Sequence, residues 1–288
     1  MKKTENVNDS LLPAAEDIAF YNQFGWYKSP VIFSDQELDD AVQGAQDFYD
    51  GKIDFPLQSK LGLSDDPFDP NLTIRNNEFV TLQQQKLRAI GWHPIIRETA
   101  KLLTKSRSIR LFADSLISKF PTKDKNQGNV GWHTDKAYWP TCSSNKLLTV
   151  WIPLQDCTID MGPVVYLNGS HKWKLEQEMH EYFSFTSQDL ESFENYQKSK
   201  NSSLKKSFMT LKRGQVSIHS CNTIHCSYPN VSDKTRLALA VHLQDDSNHY
   251  QKAFKADGTK IVIGYDQICS KDQNGDPNYH DDQIFPLI

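Results

Sequence analysis

The hydrophobic pattern near the start of the chain is helical. Ser34 and Glu37 form a capping box, with serine at the N-cap and glutamate three residues later. Hydrophobic residues then recur at intervals of three and four, at Leu38, Ala41, Val42, Ala45, Phe48 and Tyr49. A second stripe lies between His93 and Ser106, with Pro94 suited to a first helical turn. The N-terminal part therefore contains at least two predicted helices.

From Arg107 onward the pattern changes to short runs of β-branched and aromatic residues separated by Gly, Pro, Asn and Asp. The predicted strands are RSIRLFADSLISKFP, KLLTVWIPL, GPVVYLNGS, GQVSIHS and TRLALAVHL. Such a series is typical of a β-sandwich or a β-barrel. The pattern predicts a mainly β fold with flanking α-helices.

The same patterns suggest one domain, because β-rich domains of 288 residues often remain undivided. We expect a helical part over about 1–106, a barrel over about 107–245 and a C-terminal extension over 246–288. The barrel carries a charged and aromatic insertion at 172–211. A connection of this length is commonly either a functional lid or a disordered segment, and the aromatic residues of this one favour a lid. We expect a mobile lid over the substrate, with a helical segment packed on the outside as the alternative.

Composition excludes several classes of protein. Hydrophobic residues make up 38% of the chain and the formal charge is -4, so there is no basic excess for nucleic acid. No run approaches the ~18 to 20 apolar residues of a membrane span, and no secretory signal is apparent. The cysteines are odd in number and form no CxxC pair, so they predict a reducing, cytoplasmic setting. They are Cys142, Cys157, Cys221, Cys226 and Cys269, and we interpret them as buried apolar residues.

Candidate chemistry begins at the stretch GWHTDKAYWP. Alternate residues of a strand point to one face, so His133 and Asp135 can converge on one point at a strand end. A third ligand from a distant strand would complete a facial triad of two histidines and one carboxylate, the arrangement of non-haem Fe(II) sites. By itself, a His and an Asp two apart more often pair with each other or with backbone. The candidates for the third ligand are His219 and His225.

The stretch YPNVSDKT favours His225. Its turn residues predict a hairpin folded near Asn230 and Val231. Such a hairpin would place His225 opposite Arg236, with cross-strand Cβ atoms about 5 Å apart. Ser227 would face the same interior as His225. A guanidinium and a hydroxyl next to a metal are suited to a carboxylate ligand.

The remaining polar and aromatic residues near these motifs have structural interpretations. We expect His171, His219 and His242 to be structural and Lys136 to be a solvated charge at the rim. Three aromatic residues flank the HxD motif, and they either shape a substrate pocket or belong to the core. These are Trp132, Tyr138 and Trp139.

The chain resembles the phytanoyl-CoA dioxygenase family of Fe(II)- and 2-oxoglutarate-dependent oxygenases. The resemblance lies in the blocks WHTD, LTVWIPLQD, MGPVVYLNGSH and HCSYPNVSDKTRLAL, from about Leu111 to Leu243. It implies a double-stranded β-helix, which is a jelly-roll, cupin-like barrel with N-terminal helices packed outside.

The resemblance also assigns roles to residues. It implies that His133, Asp135 and His225 bind the iron and that Arg236, assisted by Ser227, holds the distal carboxylate of 2-oxoglutarate. Lys119 and Trp151 match positions that could touch this co-substrate. Phe120 departs from the family pattern, because many relatives have a proline after the lysine.

The implied reaction is oxidation of a small organic molecule by O2, with conversion of 2-oxoglutarate to succinate and CO2. Hydroxylation is the expected outcome, with desaturation or cyclisation as alternatives. The presence of Asp135 disfavours halogenation, because halogenases of the family have a small residue there. A protein hydroxylase of the same superfamily, a cupin-like metal protein that does not use 2-oxoglutarate and a non-enzymatic binding module are the competing classes.

Overall fold

The computed structural model describes residues 7–57, 73–124, 127–174, 179, 183–184, 186–187, 189–200 and 204–288. The described residues form twelve strands and seven α-helices. The strands are β1 (Trp26–Lys28), β2 (Ile74–Glu78), β3 (Ile109–Lys119), β4 (Val130–His133), β5 (Leu148–Pro153), β6 (Val164–Leu167), β7 (Lys206–Phe208), β8 (Ser217–Ser220), β9 (His225–Ser227), β10 (Arg236–Asp245), β11 (Ala253–Phe254) and β12 (Lys260–Ile261). The helices are α1 (Ala15–Phe24), α2 (Asp35–Tyr49), α3 (Val80–Gln83), α4 (Gln85–Gly91), α5 (Pro94–Thr104), α6 (Glu191–Ser199) and α7 (Gly264–Ile268).

Two antiparallel sheets make up the β-structure around the core. The larger sheet has the order β1-β8-β5-β10-β3-β2, and the smaller sheet has the order β4-β9-β6-β7. From β3 to β10 the chain moves repeatedly between the two sheets, with β3, β5, β8 and β10 in the larger one. This alternation defines a double-stranded β-helix, so the predicted jelly-roll fold is confirmed. The strands predicted after Arg107 are confirmed as β3, β5, β6, β8 and β10.

Contacts between the sheets identify the inward-facing residues. The Lys119 ammonium on β3 donates to the Ser227 hydroxyl on β9, and the Tyr166 hydroxyl on β6 bonds to Ser217 on β8. Because side chains alternate along a strand, residues next to these point away from the interior. Polar side chains therefore enter the space between the sheets from both sides.

Both predicted helices are present. Ser34 caps α2, since its hydroxyl accepts from the Glu37 amide and the Glu37 carboxylate accepts from the Ser34 amide. His93 caps α5, which begins at Pro94. A hydrogen-bond chain fastens the helical part to the larger sheet, from the Trp92 indole through Thr81 to Asp114 of β3. The helical part also supplies β1 and β2, the two edge strands of that sheet.

The predicted hairpin between His225 and Arg236 is wrong. β9 pairs with β4 and β6, whereas β10 pairs with β3 and β5, so the two strands lie in different sheets. The turn residues between them form the connection that crosses from the smaller sheet to the larger one. The Asn230 amide donates to the carbonyls of Lys119 and Lys234, which holds the crossing chain at the end of β3. Ser227 nevertheless faces the interior, as predicted.

The described part of the 172–211 insertion packs on the outer face of the smaller sheet. Phe193 of α6 lies 5.7 Å from the ring of Trp132, and Leu190 accepts a hydrogen bond from its indole. Glu194 pairs with Lys206 at 2.6 Å and accepts from the Tyr228 hydroxyl at 2.8 Å. These residues match the alternative expectation of a helical segment packed on the outside, and the mobile lid stays a prediction. Tyr182 and Phe185, two further aromatic residues of the insertion, lie outside the described residues.

The C-terminal extension folds back onto β3. Leu111 donates its amide to Pro286, and Phe285 stacks on Phe112 at 5.5 Å. Tyr279 bonds to Thr141 and Asp266 in a buried cluster. Within the parts of the chain that the structure describes, no helix is long and apolar enough to cross a bilayer.

Candidate metal and dicarboxylate site

Three predicted ligands meet between the sheets. His133 ends β4 and lies directly opposite His225 of β9, while Asp135 follows in a short 3-10 turn. One ligand atom from each of the three lies within 4.8 Å of the others, and all three side chains are buried. This is the one group of three or more potential metal ligands in the described residues.

Both imidazoles are oriented by the backbone. The Nδ1 atom of His133 lies 2.8 Å from the Gly131 carbonyl, and Nδ1 of His225 lies 2.9 Å from the Thr223 carbonyl. A carbonyl only accepts, so each Nδ1 carries the proton and each Nε2 keeps a lone pair. The Nε2 atoms lie 3.9 and 3.5 Å from Oδ1 of Asp135. Two lone pairs and one carboxylate oxygen thus face a common point.

Electrostatics favours the protonation states that a cation requires. Burial lowers the pKa of His133, and burial together with His133 and His219 holds the pKa of His225 well below its usual range. Burial opposes ionisation of Asp135, but His225 and His219 outweigh it and keep its pKa well below the usual range. Neutral imidazoles beside an ionised carboxylate are the forms that bind metal.

A second group of charges lies between the sheets, where Lys119 contacts the end of β9. Lys119 and Arg236 are direct partners across β3 and β10, and both are almost fully buried. The Lys119 ammonium donates to the Ser227 hydroxyl at 2.6 Å and to the Tyr228 carbonyl at 2.7 Å. Arg236 donates through Nη1 to the Gly162 carbonyl. No carboxylate of the described residues forms an ion pair with either cation.

Burial changes the pKa of both cations in the same direction. Desolvation, reinforced by Arg236, holds the pKa of Lys119 well below its usual range. Desolvation lowers the pKa of Arg236 to about 10, so the guanidinium stays charged at neutral pH. A buried charge without a counterion is costly, which favours an anionic ligand here.

Two buried donors at this place have no hydrogen-bond partner within the described part of the protein. They are Nε of Arg236 and the indole Nε1 of Trp151. The Arg236 guanidinium carbon lies 5.5 Å from the centre of the Trp151 ring. An anion that accepted from Arg236 Nε would therefore satisfy one of the orphaned donors and neutralise the cation.

Sequence reasoning missed the residues that surround Asp135. Thr149 donates to its Oδ2 at 2.5 Å, and Nε2 of His219 lies 3.1 Å from the same atom. His219 therefore contacts a predicted ligand, although it was expected to be structural. The alternation in Ser217-Ile218-His219 was the available signal, because it directs both polar side chains to one face.

The structure also shows where the aromatic and basic residues near the HxD motif lie. Trp132 and Trp139 are buried in packing clusters, whereas the Tyr138 ring is half-buried and 5.8 Å from His133. Lys136 is not a solvated rim charge, because its ammonium donates to the carbonyls of Cys142 and Ser144. His242 lies outside the cluster and bonds to Thr149, and burial lowers its pKa to about 4.

The chain belongs to the phytanoyl-CoA dioxygenase family, because the model of this family matches residues 30–238. It is accordingly a non-haem iron, 2-oxoglutarate-dependent dioxygenase by class. No curated protein sequence matches it.

Solved structures share the fold at low identity. The 2-oxoglutarate-dependent carbocyclase SnoK from nogalamycin biosynthesis is 20% identical with a TM-score of 0.71, and the match covers 96% of each chain. The epimerase SnoN, in complex with Fe3+, 2-oxoglutarate and nogalamycin RO, is 19% identical with a TM-score of 0.67, over 94% of this chain and 97% of SnoN. EctD from S. alaskensis, with 2-oxoglutarate and 5-hydroxyectoine, is 18% identical with a TM-score of 0.65, over 90% and 85%.

Gly162 provides a test of the packing around Arg236. Its φ is +63°, and a Cβ there would lie 2.2 Å from the Tyr228 carbonyl oxygen. Gly162→Ala should lower the free energy of unfolding by more than the roughly 1–2 kcal/mol that a left-handed backbone conformation alone costs an L-residue. Gly258→Ala is the matched control, since its φ is +82° and nothing lies within 4 Å of the added carbon. Equal losses for the two variants in urea denaturation would contradict the close approach.

Proposed function

We propose that this chain oxidises a small organic substrate with Fe(II), O2 and 2-oxoglutarate and releases succinate and CO2. The observation that carries the proposal is the placement of Lys119 and Arg236, two buried cations without a carboxylate partner among the described residues, between the same two sheets as the His-Asp-His cluster. The cluster alone fits many metal proteins. The cations favour an anionic ligand, and the co-substrate of the family, 2-oxoglutarate, is a dicarboxylate.

The donor set fits Fe(II). His133, Asp135 and His225 offer two nitrogens and one oxygen, the donor set that would hold Fe(II) and leave it open to a co-substrate and oxygen. The bound iron would supply the oxidising chemistry that side chains lack. The chain's own part is to hold the imidazoles in one tautomer and the carboxylate ionised.

Arg236, Lys119 and Ser227 would bind the distal carboxylate of 2-oxoglutarate. Arg236 presents a free Nε, and Lys119 holds the Ser227 hydroxyl in place. With the distal carboxylate at this end, the keto acid would extend toward the three ligands. Trp151 would form a wall beside it. The surrounding burial would exclude water from the reacting end.

The competing classes fit less well. A cupin-like protein without 2-oxoglutarate, or a binding module, would gain nothing from a buried Arg236 and Lys119. A protein hydroxylase would share the cluster, but the similar structures carry nogalamycin RO or 5-hydroxyectoine, which favours a small molecule. We propose hydroxylation as the outcome, with desaturation or cyclisation as alternatives. We also propose that residues 1–288 act as one domain.

The first prediction concerns the cluster. His133→Ala, Asp135→Ala and His225→Ala should each weaken Fe(II) binding by more than the roughly 10- to 100-fold that loss of an outer hydrogen-bond partner costs. Anaerobic equilibrium dialysis measures the binding, and succinate formation should cease in parallel. His249→Ala is the control, since His249 is exposed and bonds to Ser143 outside the site. Near-normal iron affinity and succinate formation in Asp135→Ala would overturn the assignment.

The second prediction concerns the co-substrate. Arg236→Gln removes the guanidinium and should raise the KM for 2-oxoglutarate roughly 10- to 100-fold, the value of one charge-assisted hydrogen bond. Iron affinity should change little, because Arg236 does not contact the three ligands. Arg107→Gln is the control, with 94% of its side chain exposed. An unchanged KM in Arg236→Gln would show that the co-substrate binds elsewhere.

A further inference from the structure

The two oxygens of Asp135 have different surroundings. Oδ2 contacts the Thr149 hydroxyl at 2.5 Å and Nε2 of His219 at 3.1 Å. Oδ1 faces Nε2 of His133 and His225 and contacts no other polar group of the described residues. One oxygen is therefore bound by the protein, and the other faces the point where the two histidine lone pairs meet.

Proton positions follow from the chemistry of each group. An ionised carboxylate only accepts, so Nε2 of His219 carries a proton, and in the neutral imidazole its Nδ1 is then the acceptor. The Tyr166 hydroxyl lies 3.0 Å from that Nδ1 and donates to it. The Tyr166 oxygen then accepts from Ser217 at 2.8 Å. Ser217, Tyr166 and His219 thus form one hydrogen-bond chain that ends at Oδ2 of Asp135.

A second chain reaches the same oxygen. The Thr149 hydroxyl has a single proton and gives it to Oδ2 of Asp135. Nδ1 of His242, 2.8 Å from the Thr149 oxygen, must then be the donor to it. Two donors from different strands, β5 and β8, thereby fix the plane of the carboxylate.

From this geometry we infer that His219 and Thr149 are positioning residues that restrict Asp135 to one ligand atom, Oδ1. The inference rests on the proposed function. A carboxylate that was free to rotate could offer both oxygens to the metal. Its second oxygen would then block a coordination position that the co-substrate or O2 requires. The Ser217-Tyr166-His219 chain prevents this by keeping Oδ2 as an acceptor for protein donors.

Cobalt(II) is the probe for the test, because its visible absorption reports coordination number and needs no turnover. His219→Leu, Tyr166→Phe and Thr149→Val each remove one link. Each should weaken cobalt affinity about 10- to 100-fold, the range for outer partners of metal ligands. The cobalt spectrum should change in His219→Leu. His219→Gln, whose amide can still donate to Oδ2, should retain most of the affinity and the wild-type spectrum.

Two matched controls separate positioning from general stability. Tyr279→Phe removes a buried hydroxyl that bonds to Thr141 and Asp266, and Thr104→Val removes one that bonds to Ala100. Both should lower the melting temperature without changing cobalt affinity. If His219→Leu does not fold, Tyr166→Phe and Thr149→Val carry the same test.

Wild-type affinity and spectrum in both Tyr166→Phe and Thr149→Val would overturn the inference. A melting temperature that falls in all the variants while cobalt affinity stays constant would do the same. Failure of the wild-type protein to bind cobalt would instead contradict the proposed function, so the two failures are distinguishable.

Discussion

Burial of charge between the two sheets is the constraint on which the site depends. Asp135, Lys119 and Arg236 are each more than nine-tenths buried, where an unpaired charge would cost several kcal/mol. The protein compensates the carboxylate with two donors on Oδ2, whereas Oδ1 faces the lone pairs of two imidazoles. It leaves the two cations without an acid among the described residues. This difference points to a cation near Asp135 and an anion near Arg236.

The alternation of strands between the sheets makes this arrangement possible. The smaller sheet supplies His133, His225 and Ser227, whereas the larger sheet supplies Lys119, Arg236 and the residues that hold Asp135. Neither sheet contains the whole site, so the site forms only when the two sheets pack together. The helices lie outside, where the bonds from Trp92 and Thr81 to Asp114 fasten them to β3.

Much of this was predictable from local patterns. The capping box at Ser34 and the alternating runs after Arg107 depend on residues that are close in sequence. His133 and Asp135 are two residues apart, so their spacing alone predicted that their side chains converge. The partner of β9 could not be predicted in this way, because turn residues such as Asn230 suit both a hairpin and a crossover. His219 was missed since its role depends on Tyr166, which lies on β6, and on Asp135, which lies in the turn after β4. The outward packing of Phe193 depends on Trp132 in the same way.

The central claim is that the ligand cluster and the buried cations form one site for a metal and a dicarboxylate. Anaerobic calorimetric titration of 2-oxoglutarate into metal-free and Mn(II)-loaded protein tests it most directly. Coupled binding is reciprocal, so a shared site requires each ligand to strengthen the other. The account predicts one 2-oxoglutarate per chain, bound more tightly when Mn(II) is present. Equal affinity with and without the metal, or no binding in either state, would contradict it.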